Sequence, residues 1–502
     1  MPIAVIGSGF SGLGAAIRLD QAGHHDFLVL ERGDDVGGTW RDNTYPGAAS
    51  DAPSHLYSYS FALNPSWTRS FARQSEIQDY IRGVARDAGV LDRHVFGCEV
   101  KNAAWDDGRQ RWELLTNQGR FSADVVIAAF GTLTEPSLPA IAGIEDFNGE
   151  LFHSARWNHD TDLSGKRVAV IGTGASAIQI VPAIADVAAH IDVYQRTAPW
   201  LVPRRDRTFT RAERWAFRTV PSVMRLARAA IYANREAMVV GLAKAPRLMK
   251  PVELVLRAKI RTEIKDPELR RKVTPNFRLG CKRMLLSNDW YPTLDRDHVE
   301  LITEGIREVD GRRIITVDGT AREVDAIILA TGFHVTDSPM FDLICGSDAR
   351  TLAQTYADKG KQAYKGSAIA GFPNMFFLVG PNTFVGHTSV VYMIEAQLNY
   401  IVDAIDTMKT HGLRTLEVRR EAQDAYNETL QRKLASSVWM TGGCASWYLD
   451  AHGNNTTIWP DFTFRFRNQT KRFDLDAYTT TAGNNDESDL DLARPVLLGR
   501  KD

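Results

Sequence analysis

Ile3-Ala-Val-Ile6 running into Gly7-Ser8-Gly9-Phe10-Ser11-Gly12 is the stretch on which the fold turns. The short, fully apolar and largely β-branched run predicts a strand buried on both faces of a parallel sheet. After the glycines, Leu13, Ala16, Ile17 and Leu19 fall on a helical pattern. A second apolar run, Phe27-Leu-Val-Leu30, ends in Glu31, 19 residues beyond Gly12. Strand, glycine turn, helix, strand and acid in this order make the dinucleotide fingerprint in its required context. Gly7, Gly9 and Gly12 permit a tight turn and a close approach of backbone to pyrophosphate. The helix N-terminus faces the phosphates, and Glu31 accepts from ribose hydroxyls.

The pattern recurs. Arg167-Val-Ala-Val-Ile171 leads into Gly172-Thr173-Gly174-Ala175-Ser176-Ala177, with a helical stretch and then a strand at Ile191-Asp-Val-Tyr194. Here the strand ends in Gln195-Arg196-Thr197 instead of an acid. An acid at that point suits the ribose of NAD, whereas an arginine suits the 2′-phosphate of NADP. Two unlike dinucleotide units on one chain imply a flavoprotein reduced by NADPH. The fold class that follows is α/β, with two Rossmann-like domains, one for FAD and one for NADP, and a helical insert.

Composition agrees with that class. The chain has 502 residues, 44% of them apolar and 24% charged, which excludes disorder over most of its length. Sixty Lys and Arg stand against 61 Asp and Glu, so no overall field draws the chain to nucleic acid. Cys98, Cys281, Cys345 and Cys444 are scattered, without CxxC or zinc-ligand spacing. They read as free thiols in a reducing compartment, and no metal site is expected. The N-terminus carries no basic leader and no run of about 18 uncharged apolar residues occurs, so a soluble cytoplasmic protein without integral membrane contact is expected.

Residues 208–275 read as a helical insert, and within 211–272 there are 16 Lys and Arg against 6 Asp and Glu, a local charge of +10. Such a stretch reads first as a solvated face or an interface with the acidic remainder of the chain; peripheral contact with an anionic membrane is the second reading. Strand signals return at Ile314–Val317, Ala326–Leu329 and Met375–Val379, and the polar, acidic end from Asn484 onward reads as a loose tail.

One segment adds a resemblance. Gly37-Gly38-Thr39-Trp40, then Tyr45-Pro46-Gly47 and Asp51, resembles the longer signature of type I Baeyer–Villiger monooxygenases, class B flavoenzymes that use FAD and NADPH. Phe147, Gly149, His153 and Trp157 match their second signature, with Asn158 in place of its final Pro or Asp. That looser form is similar to the related flavin-containing monooxygenases. Ala128–Gly131 and Ala330–Phe333 resemble the two crossings between domains, Cys281-Lys282-Arg283 the segment of the active-site arginine, and Ser446-Trp447-Tyr448 the substrate side.

The resemblance implies that ketones become esters or lactones with O2 by way of a C4a-peroxyflavin. Arg283 and Asp51 would be catalytic: a guanidinium stays cationic at any working pH, and a carboxylate holds it by charge-assisted bonds. Glu31, Thr39, Trp40, Asp51, Tyr57 and Val100 would join Gly7, Gly9 and Gly12 around FAD. Gly172, Thr173, Gly174, Ser176, Gln179, Arg196, Thr197 and Lys282 would hold NADPH. His153 would couple NADP(H) position to domain motion, neither acid–base catalyst nor metal ligand. The layout implied is an FAD domain of 1–150 and 336–502, an NADP domain of 151–207 and 276–335, and the insert at 208–275. Two rivals remain at this point: a sulfide or amine monooxygenase, and a flavin- and NADP-binding sensor without turnover. The ketone and the oligomeric state are not legible.

Overall fold

The computed structural model describes residues 1–482; the tail from Asn484 lies outside the described residues. Two five-stranded sheets, all of whose pairings are parallel, carry the architecture. The first runs in the order Met375–Phe377, Val125–Ala128, Ile3–Ile6, Phe27–Leu30, His94–Val95. The second runs Val299–Ile302, His190–Tyr194, Arg167–Ile171, Ala326–Leu329, Glu150–His153. In each, the strand that opens the fingerprint lies centrally, between the strand that follows it and one from much later in the chain. That is a topological switch point, where two connections diverge and leave a crevice at the strands' C-terminal ends.

Both central strands are buried along nearly their whole length, Ile3–Ile6 throughout and Arg167–Ile171 except at Arg167, because helices cover one face of each sheet and strands of a smaller antiparallel sheet pack on the other. The helix Phe10–Gln21 packs with Leu13, Ala16 and Ile17 inside. Gly12 has no alternative: a Cβ there would lie 1.8 Å from the carbonyl oxygen of Gly7. Gly7 itself has φ +97°, the left-handed region that glycine alone adopts without strain. The signal at Ile314–Val317 resolves into the strand Arg313–Thr316 of a separate antiparallel three-stranded sheet.

Residues 211–273 form four α-helices, Arg211–Thr219, Pro221–Val239, Lys250–Glu263 and Pro267–Val273, the second and third joined by a π-helical turn Val240–Lys244 and a 3-10 turn Pro246–Met249. Thr210 and Glu213 close a capping box on the first, and proline opens the second, where its missing N–H costs nothing. The second is clamped from inside. Arg228 donates to the carbonyl of His55 and to Ser58 Oγ, while Glu236 accepts from Thr463 N at 2.9 Å and from its hydroxyl at 2.7 Å. The buried His387 also reaches Glu236, at 3.1 Å.

The cysteines depart from expectation. Cys281 and Cys444 form a disulfide, with Cα atoms 6.2 Å apart, while Cys98 and Cys345 are free. No spacing rule could find this pair, because 163 residues separate the two sulfurs and only the fold brings them together. Thiol titration of the denatured, unreduced chain should therefore find two reactive cysteines, rising to four after reductant.

Candidate active site

A cavity of about 330 Å³ opens at the switch point of the first sheet. It is lined at one end by Glu31 and Arg32, along its length by Gly7–Ser11, Thr39, Trp40, Tyr57 and Val100, and at the other end by Asp51, Arg283, Phe384 and Thr388. Gly12 lies beneath it, against Gly7.

The end near the glycines is built for an anion. The helix Phe10–Gln21 has no side-chain cap, so its first N–H groups point free toward the cavity. The hydroxyl of Ser8, buried in the cavity wall, has no hydrogen-bond partner. Glu31 is buried and accepts from Ser8 N and Gly33 N at 2.7 Å each and from Arg41 Nη1 at 2.8 Å. A carboxylate offers about four acceptor sites, so one remains on Oε2 for a ribose hydroxyl. A pyrophosphate with an adjoining ribose thus fits the donors and the acceptor present. Arg41 drew no notice in the sequence, yet it holds Glu31 and Asp42 together and also bonds the carbonyl of Asp35. Trp40 Nε1 donates to the Tyr57 hydroxyl at 3.0 Å, and burial pushes the Tyr57 phenol up to about 12.

At the far end Arg283 meets Asp51. Arg283 Nε donates to Oδ2 and Nη2 to Oδ1, each at 2.7 Å, in a two-pronged pair. Burial works against the guanidinium charge, but Asp51, through its charge and its hydrogen bonds, more than offsets it, and the arginine is held above its usual range. The guanidinium also lies 5.5 Å from the centre of the Phe384 ring. Tyr448, whose buried hydroxyl has no partner, is near enough for Arg283 and Asp51 to act on it electrostatically.

Of the second set, Ser176 and Gln179 line the same cavity. Gln179 accepts from the Tyr45 hydroxyl at 3.1 Å and donates to Ala49 O at 3.0 Å, stitching the second unit to the first. Thr173 Oγ1 donates to Thr197 O at 3.1 Å beside Gly172 and Gly174. Arg196 is exposed and Lys282 half-buried, and neither has an ion-pair partner among the described residues. Burial, then the charge of Arg196, lowers the Lys282 ammonium. Two unneutralised cations that repel each other suit a shared phosphate.

His153 ends the strand Glu150–His153, its Nδ1 accepting from Ala155 N at 3.1 Å and its ring edge-on to Phe333, 5.5 Å away. His190 and Asp192, two residues apart on one strand, meet Glu300 of the neighbouring strand. His190 hydrogen-bonds Asp192 at 3.1 Å, and Arg322 pairs with Glu300 at 3.0 Å.

The flavin-binding monooxygenase-like family profile matches residues 1–217. A Baeyer–Villiger monooxygenase of Pseudomonas aeruginosa is 50% identical over 95% of this chain and 91% of its own. One from Streptomyces coelicolor is 48% identical, over 95% and 92%. The chain belongs to the Baeyer–Villiger monooxygenase family. Among solved members, cyclohexanone monooxygenase from Rhodococcus sp. Phi1, bound to NADP+, superposes with a TM-score of 0.86 at 26% identity, covering 96% of this chain and 99% of that one. A steroid monooxygenase bound to NADP gives 0.83 at 29% identity, with the same coverage. The protein is a flavoprotein monooxygenase, and membership of the family sets aside the sensor reading.

Burial lowers the His153 imidazole to about 4 from its ordinary 6.5. Between these values the unfolded chain takes up a proton that the folded chain refuses, so stability falls as pH drops through that window. The loss between pH 7.5 and 5 is about 2 kcal/mol. In His153→Gln, the fall in melting temperature between those two pH values should be smaller than in the wild type.

Proposed function

We propose that the protein inserts one oxygen atom of O2 beside the carbonyl of a ketone, giving an ester or lactone, water and NADP+. The observation that carries this reading is the two-pronged Asp51–Arg283 pair at the end of a cavity that begins at the first glycine fingerprint. FAD, reduced by NADPH, supplies the electrons and activates the dioxygen when both cofactors are bound. The rest falls to the chain's own residues.

Gly7, Gly9 and the uncapped helix beyond them hold the FAD pyrophosphate, with Ser8 Oγ as an added donor and Glu31 on the ribose. Thr39, Trp40, Tyr57 and Val100 shape the channel in which the flavin lies. Gly172, Thr173, Gly174 and Ser176 cradle NADPH, with Gln179 joining its domain to the FAD side. Arg196, Thr197 and Lys282 surround the 2′-phosphate. Lys282 and Arg283 are adjacent in the chain, so the phosphate contact and the oxidation site share one segment.

Arg283 meets the negative charge that develops on oxygen during insertion. It retains its proton at working pH, so it acts as a fixed cation and hydrogen-bond donor and not as an acid. Asp51 occupies two of its donors and fixes the fork, leaving the remaining N–H groups to aim at substrate oxygen. Phe384, Val385, Leu285 and Leu286 supply apolar wall that excludes water and accepts a hydrocarbon skeleton. A heteroatom monooxygenase has no carbonyl to polarise, and the Arg283 clamp supports the ketone reading over it. We further propose the domain division 1–150 with 336–502, and 151–207 with 276–335. His153 is proposed to transmit NADP(H) position to the crossing at Phe333. NADPH supply favours a cytoplasmic reaction.

Product mass spectrometry tests the reading. FAD-loaded protein given NADPH, air and a panel of cyclic, linear and aryl ketones with one sulfide should yield esters or lactones sixteen mass units heavier, matched to NADPH consumed. Sulfoxide as the sole product overturns it. Arg283→Ala should still reduce flavin with NADPH while ester formation falls ~10²–10³-fold. Arg196→Ala should raise KM for NADPH far more than for NADH; equal changes would remove the phosphate role.

A further inference from the structure

The outer side of the helical insert has a composition unlike the rest of the surface. Nine of the nineteen large apolar side chains exposed among the described residues fall between Trp215 and Val255, so the excess is local to the insert. Trp215 is 66% exposed, Leu226 72% and Leu254 67%. On the helix Pro221–Val239 and its continuation, Val223, Leu226, Ala230, Ala233, Ala237 and Val240 recur every three or four residues, and all are exposed. This is an unbroken apolar stripe along the side turned away from the core. The opposite side of the same helix carries Arg228 and Glu236, whose inward contacts fix its orientation, and Arg235, near enough to feel the charge of Asp51.

The charges flanking this stripe have one sign. Arg211, Arg218, Arg225, Arg247, Lys250 and Arg261 are exposed without an ion-pair partner among the described residues, and over residues 211–263 none of the acids is exposed. Glu213 is engaged by Arg207, Glu236 is buried against Thr463, Glu253 is paired with Arg257 and Glu263 with Lys259. The first exposed acids come in the next helix, Asp266 and Glu268. Among the described residues the remainder of the chain reaches this side with one acid only, the buried Asp461, which pairs with Lys244 at 3.0 Å and leaves the other six cations unneutralised. An ordinary solvated face would not line up valine, leucine and tryptophan. A symmetric contact with a second copy would set six unpaired cations against six.

We propose that the outer face of helices Arg211–Thr219, Pro221–Val239 and Lys250–Glu263 docks on an anionic lipid bilayer. Trp215, Leu226, Leu248 and Leu254 enter the boundary between headgroups and chains, and the arginines and lysines pair with lipid phosphates. The inference goes beyond the oxidation chemistry and does not depend on it. It orients the enzyme, because the helix that meets the lipid on one side approaches the Asp51–Arg283 end of the site on the other.

The test is co-sedimentation of FAD-loaded, full-length protein with large vesicles of phosphatidylcholine alone or mixed equally with phosphatidylglycerol. Partitioning should be at least about tenfold stronger onto the anionic vesicles at low salt, and should fall sharply in 0.5 M NaCl. Leu226→Glu with Leu254→Glu should lower it about tenfold, and so should Arg225→Glu with Arg247→Glu. FAD content, melting temperature and NADPH oxidation should stay unchanged in both. Failure to bind anionic vesicles, equal binding to neutral ones, or wild-type binding by both double variants overturns the proposal. So does sedimentation velocity showing a dimer that Leu226→Glu dissolves, since a second copy would then cover the face. Vesicle binding requires no turnover, so failure here leaves the ketone reading standing, and the converse holds.

Discussion

Asp51 and Arg283 lie 232 residues apart and close on one another with two parallel hydrogen bonds. Much of the site depends on that closure. The carboxylate comes from the loop after the first fingerprint, and the guanidinium from the segment after the insert. A half-buried ion pair of this geometry tolerates little slack, because either partner alone would leave a charge poorly solvated. The backbone around it is correspondingly tied down. Arg204 reaches the carbonyl of Ser50 at 3.1 Å, and Cys281 joins Cys444 two residues before the arginine. A cation held in this way is reorganised little when negative charge arrives, and that is the chief physical requirement for stabilising it.

The cofactor ends of the site obey a different logic, that of groups left incomplete. Ser8 Oγ is buried without a partner, the helix after Gly9 is uncapped, and Arg196 and Lys282 repel each other with no acid between them. Each is unfavourable in isolation, and a bound phosphate would relieve it. Stability withheld from the chain at these points is available for binding, as is usual where backbone and side chains are arranged for a ligand.

Much of this was legible beforehand for a simple reason. Gly7, Gly12 and Gly172 are dictated by local sterics, and buried parallel strands such as Ile3–Ile6 announce themselves by apolar continuity. Arg41, Gln179 as a bridge, and Tyr448 were not legible in their present roles, since an arginine, a glutamine or a tyrosine carries no local signature of its partner. The insert was read first as a solvated face or an interface with the acidic remainder of the chain; in the structure Glu236 turns inward, Glu253 and Glu263 pair with Arg257 and Lys259 of their own helix, and Asp266 and Glu268 are exposed. Counting charges along the chain does not reveal which side of a helix each one occupies.

By itself the sequence determined the two α/β nucleotide units, the order of their strands along the chain, and the residue types at each phosphate turn. These depend on interactions within about thirty residues, where pattern and sterics suffice. Only the tertiary structure decided that Cys281 meets Cys444, that His190 and Asp192 meet Glu300, and that Arg283, which the resemblance already paired with Asp51, keeps donors to spare. Those outcomes depend on how separate sheets and helices pack. Side-chain pairing across such distances is set by the whole core and not by any stretch of chain.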